Sequence, residues 1–320
     1  MDPIRRIVCV HADSDRARSL AEHIGVVWKS LCGDNAVITL GRLVRPCDTT
    51  QECADRERDR GLAIFAVGGD GFLLEVVRTF SPLVSAGSFR VPIVGWNAGQ
   101  VGFLMNDPAF DAQLGDLLFR DQLRAFAEGR YEVQQCDLLD AWWILQAVSG
   151  ERAYAIKERA YAFNEIRVER AVEQAARLDI AVDGVSLGTY SGDGLILASS
   201  QGSTAYALSA GGPVVDHSLP AMVIVPNNPA RIGKFLQLTF PLVLAPSREI
   251  TITVCDAEKR PVRVVADGCV CGGGGIRELH VSMRFGEEDA RTVNLLYAPD
   301  GGRVQQRFPR RVAQKFFGRG

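Results

Sequence analysis

The sequence predicts an α/β N-terminal domain with a parallel sheet, then an all-β-rich C-terminal domain, with the C-terminal segment returning to the first domain. Three observations predict this. The chain has 320 residues, 47% hydrophobic and 23% charged, which suits two domains of ordinary globular composition. In its first third, continuous apolar runs alternate with segments of helical spacing, the pattern of a parallel sheet covered on both faces. Beyond about Asp121 an alternation of period two takes over, as half-buried antiparallel strands require. The expected division is therefore 1–121 plus a returning tail at 303–320, and 122–302 for the β-rich domain.

The elements follow in order. Residues 6–10 read as a buried strand with Cys9 in its core. Asp13 or Ser14 can cap a helix that places Ala17, Leu20, Ala21, Ile24 and Trp28 on one face. A second buried strand, 62–67, runs into Gly68-Gly69-Asp70-Gly71. Leu73, Val76, Val77 and Phe80 then repeat at helical spacing, and 85–88 break that helix. A third strand is expected at 91–94, with Pro92 near its start, where proline is tolerated. In the second half, 165–169, 177–182, 249–254, 262–265 and 278–283 read as strands. Asp183-Gly184 between two such runs is a two-residue hairpin signal. Residues 203–209 read as a short helix capped by Gly202 or Ser203 and ended by Gly211-Gly212. Residues 310–317 read as the helix of the returning tail. Trp142-Trp143 is expected to pack at the domain junction or a subunit interface, and 269–275 to form a flexible turn.

Composition excludes several functions. Lys and Arg number 36 against 38 Asp and Glu, a net charge of −2, so nucleic acid and anionic membrane surfaces are not expected partners. No apolar run approaches the roughly 20 residues of a membrane-spanning helix. No signal peptide is read at the start. The eight cysteines lack the spacing of a zinc site, since Cys269-Val270-Cys271 has no second pair. Reduced thiols in a cytoplasm are the expectation.

The glycines cluster where chemistry is expected. Gly68, Gly69 and Gly71 would let main chain approach a phosphate at the carboxyl end of a strand, beside a helix N-terminus. Asp70 would repel that phosphate unless it accepts or orients the proton of an attacking hydroxyl. The same tetrapeptide also serves as a plain turn, with Asp chosen for local hydrogen bonds. Asn164 and Glu165 offer donors and acceptors suited to a ribose. Adjacent strand residues point to opposite faces, so both reach one ligand only where the strand starts irregularly. Their spacing is otherwise that of an exposed strand end. From Gly192 to Val215 a strand leads into a loop of Ser, Gln, Gly and Thr and then a helical turn, where hydroxyls and helix amides could converge on an anion or nucleotide. Tyr206 could stack on a base there.

With these motifs in order, together with Gly95-Trp96-Asn97-Ala98-Gly99-Gln100-Val101-Gly102-Phe103-Leu104, residues 194–213 and Asp267-Gly268, the chain resembles the NAD kinase family. These are ATP- or polyphosphate-dependent enzymes that phosphorylate the adenosine ribose 2′-hydroxyl. The glycine–aspartate motif alone is shared with lipid kinases and phosphofructokinases; the later motifs are not. The resemblance implies that Asp70 touches the hydroxyl to be phosphorylated, and that Asn164 and Glu165 hold the adenosine. It implies that Thr204, Ala205, Tyr206 and Ser209 line the adenine pocket, and that Phe103 and Asp193 border the ligand. Asp193 would reach a neighbouring subunit's site in a homodimer or homotetramer. Asp267 would lie near the second nucleotide region. ATP with Mg²⁺ would be the phosphoryl donor, with no metal ligand from the protein itself.

The departures bear on substrate. Phe72 stands where the family usually has Thr or Asn, and Ser199-Ser200-Gln201 where it commonly has Thr-Pro-Thr. Gln201 would then sit near the far end of the dinucleotide. The loop at 226–241 is longer than the family's, lacks its His, and has Phe240 where Arg is expected. Arg231 and Lys234 could replace the lost charge as phosphate contacts. The expected function is phosphoryl transfer from ATP to NAD, giving NADP. A diverged kinase acting on another nucleotide, nucleoside or sugar-like alcohol is the alternative, and a non-catalytic nucleotide-binding protein the third.

Overall fold

The protein is described here by a computed structural model covering residues 2–43, 61–85, 91–99, 102–109, 116–149, 152–230, 238–283, 292–299 and 304–318. Its chain divides into two units, Met1–Cys136 with Thr292–Gly320, and Asp137–Arg291.

The first unit carries β1 (Arg6–His11), α1 (Asp15–Cys32), β2 (Val37–Arg42), β3 (Leu62–Gly68), α2 (Asp70–Ser85), β4 (Ile93–Asn97), α3 (Leu117–Ala127) and β5 (Glu132–Asp137). The end of the chain adds β18 (Thr292–Tyr297) and α5 (Val304–Phe317). The sheet order is β2-β1-β3-β4-β18-β5, and the pairs β1–β2, β1–β3, β3–β4 and β4–β18 are parallel. Ser14 caps α1, its hydroxyl accepting from the Ala17 amide at 3.2 Å. The expected face of α1 is buried with Phe65, Trp96, Phe119 and Phe126. Cys9 is fully buried there, and burial pushes its thiol up to about 12.

The division falls after Cys136 rather than near Asp121. Asp121 lies inside α3, whose Phe119, Leu123 and Phe126 belong to the first core, and β5 is a strand of the first sheet. The return also begins earlier than 303, because β18 is inserted between β4 and β5. Period-two spacing in β5, with Cys136 its one buried residue, reads as the start of a β domain until the sheet that claims it is seen. Strand β4 likewise starts later than 91–94 and takes in Gly95-Trp96-Asn97.

The second unit carries β6 (Leu139–Ser149), β7 (Arg152–Ala162), β8 (Glu165–Arg170), β9 (Ala176–Val182), β10 (Val185–Gly192) and β11 (Gly194–Ser199). A 3-10 turn at Gly202–Thr204 and α4 (Tyr206–Ser209) follow. Then come β12 (Met222–Asn227), β13 (Leu242–Leu244), β14 (Ile250–Val254), β15 (Val262–Ala266), β16 (Cys269–Gly273) and β17 (Ile276–Ser282). They form two six-stranded sheets, β10-β9-β14-β17-β6-β7 and β13-β12-β11-β8-β15-β16.

Alternate residues of both sheets meet in one core: Ile166 and Val168 of β8 and Leu195 and Leu197 of β11, against Leu178 and Ile180 of β9 and Ile250 and Ile252 of β14. Each such side chain removed from water contributes roughly 1.5–3 kcal/mol. The outward residues of β11, Ile196 and Ala198, are covered in turn by Ala207 and Val215. The sheet carrying β8 is thus packed on both faces, which fixes its register. Asp183-Gly184 turns β9 into β10 with φ of 49° and 77°, the two positive values of a type I′ hairpin.

Two expectations are corrected in this unit. Trp143 is buried in the sandwich core, with Gly272 of β16 against its indole, and Trp142 stacks on His280 at 3.8 Å between ring centroids. Both tryptophans lie on β6 inside one unit, because period two sends adjacent residues to the two faces of a single sheet. Residues 269–273 form a strand, not a flexible turn, since their main chain pairs with β15.

Candidate active site

One group of candidate residues belongs to the α/β unit. Helix α2 begins at Asp70 itself, three residues before the apolar repeat that starts at Leu73, so Asp70 and Gly71 lie in its first turn. The Gly69 carbonyl accepts from the Phe72 and Leu73 amides at 3.0 and 3.1 Å. The first amides of a helix have no partner within it, so this end of β3 offers donors to an anion. Asp70 is half-buried and held from outside its own helix. Its Oδ2 accepts from the Phe103 amide at 2.8 Å and its Oδ1 from the Leu104 amide at 3.2 Å. Gly102 lies so close that a Cβ there would stand 2.5 Å from Asp70 Oδ1, so any side chain at 102 would have to displace the Asp70 carboxylate.

Phe103 packs its ring within the protein. Its side chain is buried and lies against Phe308 and Phe316 of α5, at 6.2 and 5.9 Å between centroids. Its contribution here is its amide. Asn106 was not among the sequence candidates. It donates to the Gly95 and Leu296 carbonyls at 2.9 and 3.0 Å and accepts from the Ala298 amide at 2.9 Å. Its side chain therefore joins β4, the loop and β18. Its position just past Gly102-Phe103-Leu104 was the available signal.

A separate group of candidate residues belongs to the β unit. Asp267 accepts from three successive amides, Phe163 at 2.7 Å, Asn164 at 2.8 Å and Glu165 at 3.1 Å. Successive amides in an extended strand point to opposite sides, so this convergence is the irregular strand start that a shared ligand requires. Asp267 itself has φ 44° in the turn before Gly268. Its observed role is structural, that of fixing the Asn164 and Glu165 main chain.

Asn164 and Glu165 are both buried, and Asn164 Oδ1 and Glu165 Oε2 have no hydrogen-bond partner among the described residues. Buried acceptors of this kind are costly unless a ligand donates to them. Burial above all, then the Asp267 carboxylate, raises the Glu165 carboxyl to about 7, against the lowering effect of Arg167.

The loop after β11 closes over the Asn164 main chain. A Cβ on Gly202 would stand 2.0 Å from the Asn164 carbonyl oxygen. The expected single helix at 203–209 is instead a 3-10 turn and a short helix, broken at Ala205 with φ −103° and ψ −129°. The loop hydroxyls make their hydrogen bonds within the protein. Ser199 donates to the Phe163 carbonyl at 2.6 Å, Ser203 donates to Ser200 at 2.6 Å and accepts from Val215 at 2.9 Å, and Ser200 accepts from Ala221 at 3.1 Å. Thr204 donates to the Gln201 carbonyl at 3.1 Å. These side chains hold a buried loop whose backbone groups would otherwise lack partners.

Gln201 is buried too, its amide 3.4 Å from the His217 carbonyl. Tyr206 is 40% exposed with the Arg167 guanidinium 4.7 Å above its ring, and Ser209 is exposed. Arg167 is a residue that the motifs did not single out. Asp193 pairs with Arg170 at 2.8 Å and accepts from Asn228 at 3.1 Å. Arg231 and Lys234 lie outside the described residues.

Residues 163–271 match the family model of the ATP-NAD kinase C-terminal domain. Among curated proteins, the chain is 32% identical over 241 residues to an NAD kinase of Caulobacter vibrioides, covering 75% of this chain and 79% of that one. It is 30% identical over 271 residues to an NAD kinase of Rhizobium meliloti, covering 82% and 92%. An NAD kinase of Thermomicrobium roseum is 33% identical over 211 residues, a match spanning 64% of this chain and 61% of that protein. Among solved structures, a yeast NADH kinase complexed with NADH aligns with TM-score 0.67 at 19% identity, over 99% of this chain and 89% of that one. An NAD kinase from Archaeoglobus fulgidus in complex with ATP aligns with TM-score 0.64 at 23% identity, over 98% and 97%. The two-domain class read from the sequence is the fold these structures share.

Proposed function

The chain belongs to the NAD kinase family, and from that premise we propose that it transfers the γ-phosphoryl group of ATP to the adenosine ribose 2′-hydroxyl of NAD, giving NADP. The observation that carries this reading is the pair of buried acceptors without partners, Asn164 Oδ1 and Glu165 Oε2, since a nucleoside presents hydroxyl and amino donors to such groups. Asp70 accepts the proton of the attacking hydroxyl. Its two amide contacts hold the carboxylate in one direction, so that a free lone pair faces the substrate without rearrangement. The main chain at Gly68 and Gly69 and the start of α2 bind the phosphates by N–H groups and helix dipole. Tyr206, with its exposed ring, stacks on the adenine. The side chains of Gln201, Thr204 and the loop serines keep the pocket wall in shape.

Among the described residues no three His, Cys, Asp or Glu side chains gather as a metal cage. On this reading Mg²⁺ would arrive on the ATP phosphates, as this ion ordinarily does, and would supply charge neutralisation for the transferring phosphoryl group. The enzyme works in the cytoplasm as a homodimer or homotetramer on this reading, and sedimentation velocity reads its assembly.

The test is NADP formation by purified protein with NAD, ATP and Mg²⁺. Asp70→Asn keeps the shape but loses the base, and its kcat is expected to fall by about 10²–10⁴-fold. A wild-type protein that makes no NADP, or an Asp70→Asn variant with full turnover, sinks the reading.

A further inference from the structure

The 102–107 loop that holds Asp70 on one side is itself held on the other by the C-terminal helix. Arg311 is 7% exposed, donates to the Met105 carbonyl at 2.9 Å and pairs with Asp107 at 2.6 Å. Arg307 donates to the same carbonyl, and its guanidinium lies 3.6 Å from the centre of the buried Tyr297 ring. The Lys315 ammonium stands 4.6 Å over Phe103. Asp107 also accepts from Asn97 at 2.8 Å. Apolar contacts such as Phe103 with Phe308 and Phe316 would suffice to dock a helix. A buried arginine is costly unless its charge is used, and Arg311 shares its carbonyl acceptor with the half-buried Arg307. That carbonyl lies one and two residues from the amides that grip Asp70.

We propose that Arg311, assisted by Arg307, is a positioning residue for phosphoryl transfer: by fixing Met105 it sets the Phe103 and Leu104 amides and thereby the direction of the Asp70 carboxylate. The C-terminal helix is then part of the catalytic apparatus without touching substrate. This rests on the reading of Asp70 as the group that handles the ribose hydroxyl. The chemical consequence is specific. A loosened Asp70 still allows NAD to bind through Asn164 and Glu165, but seldom meets the hydroxyl in line.

The experiment compares wild type, Arg311→Met, Arg311→Lys and Asp107→Asn in two measurements, steady-state kinetics with NAD and ATP–Mg²⁺ and hydrogen exchange of the 102–105 amides. Arg311→Met is expected to lower kcat by about ten- to a hundred-fold, with KM for NAD within about two-fold and faster exchange at Phe103 and Leu104. Arg311→Lys should recover part of kcat, since an ammonium reaches the carbonyl or Asp107 but lacks the fork that spans both. Should Arg311→Met not fold, Asp107→Asn decides: a smaller fall in kcat with faster exchange supports the proposal. Folded variants with wild-type kcat, or with kcat and KM spoiled together and exchange unchanged, overturn it. A wild type that makes no NADP defeats the functional reading separately. The exchange of Arg311→Met then still judges the brace: faster exchange keeps it, unchanged exchange overturns it.

Discussion

Glu165 shows how one residue can tie ligand binding to pH. Its carboxyl is raised from 4.5 to about 7, first by burial, so the folded state holds a proton that the unfolded state has released. Between those two values the native protein binds more protons, and stability falls as pH rises; the loss is complete above about 7. Glu165→Gln removes this penalty. It is expected to melt close to wild type near pH 4.5 and progressively above it up to about pH 7, with a constant gap beyond. A thermal-unfolding series across that range checks the sign, and a gap that widens toward acid refutes the assignment. NAD donating to the carboxylate favours the charged form, so NAD affinity should rise with pH through the same window. Chemistry at this scale was partly legible. Asn164 and Glu165 stand out by type, but nothing in their neighbourhood announces that Asp267, a hundred residues on, staples their amides.

At the scale of elements, the site depends on main chain meeting main chain. The loop after β11 rests on the residue before β8 with room for no side chain at Gly202. Gly202→Ala is therefore expected to cost about 1–3 kcal/mol of stability as an overpacking change, and to raise KM for NAD by pushing Asn164 out of place. Denaturant unfolding and kinetics measure the two effects. An alanine variant with wild-type stability and KM would mean that the loop and strand are not in contact. Hydroxyl-rich composition in this loop suggested ligand contacts, yet the structure turns those hydroxyls inward. Sequence pattern gives the polarity of a loop but not the direction of its side chains, because that depends on which carbonyls the neighbouring segment leaves open. In the α/β unit, α2 starts at Asp70 because the Gly69 carbonyl already accepts helical bonds, whereas helical apolar spacing becomes visible only from Leu73.

At the scale of the molecule, the chain leaves the first unit at Cys136 and returns at Thr292. Strand β18 lies inside the parallel sheet between β4 and β5. A chain ended at Arg291 loses this interior strand together with α5. It is expected to lose the cooperative unfolding of the α/β unit and all NADP formation, while the antiparallel units of the β sandwich persist. Circular dichroism and calorimetry check this. A truncated chain that keeps its helical signal and full melting transition would show that the return is dispensable. The late unit boundary has the same origin, since a strand such as β5 belongs to whichever sheet pairs with it.

The sequence by itself determined the two-domain class, the buried strands beside Cys9 and Phe65, the capped helix after Ser14 and the Asp183-Gly184 hairpin, and it singled out Asp70, Asn164 and Glu165 as candidates. The elements rest on local periodicity and turn chemistry, the candidates on motifs that resemble a family's. Tertiary structure alone decided what holds those groups: the Phe103 and Leu104 amides on Asp70, the Asp267 staple under Asn164 and Glu165, and Arg307 and Arg311 on Met105. Such contacts join residues far apart in the chain. Their partners are chosen by where packing leaves a buried polar group in need of one, and that need exists only once the chain has folded.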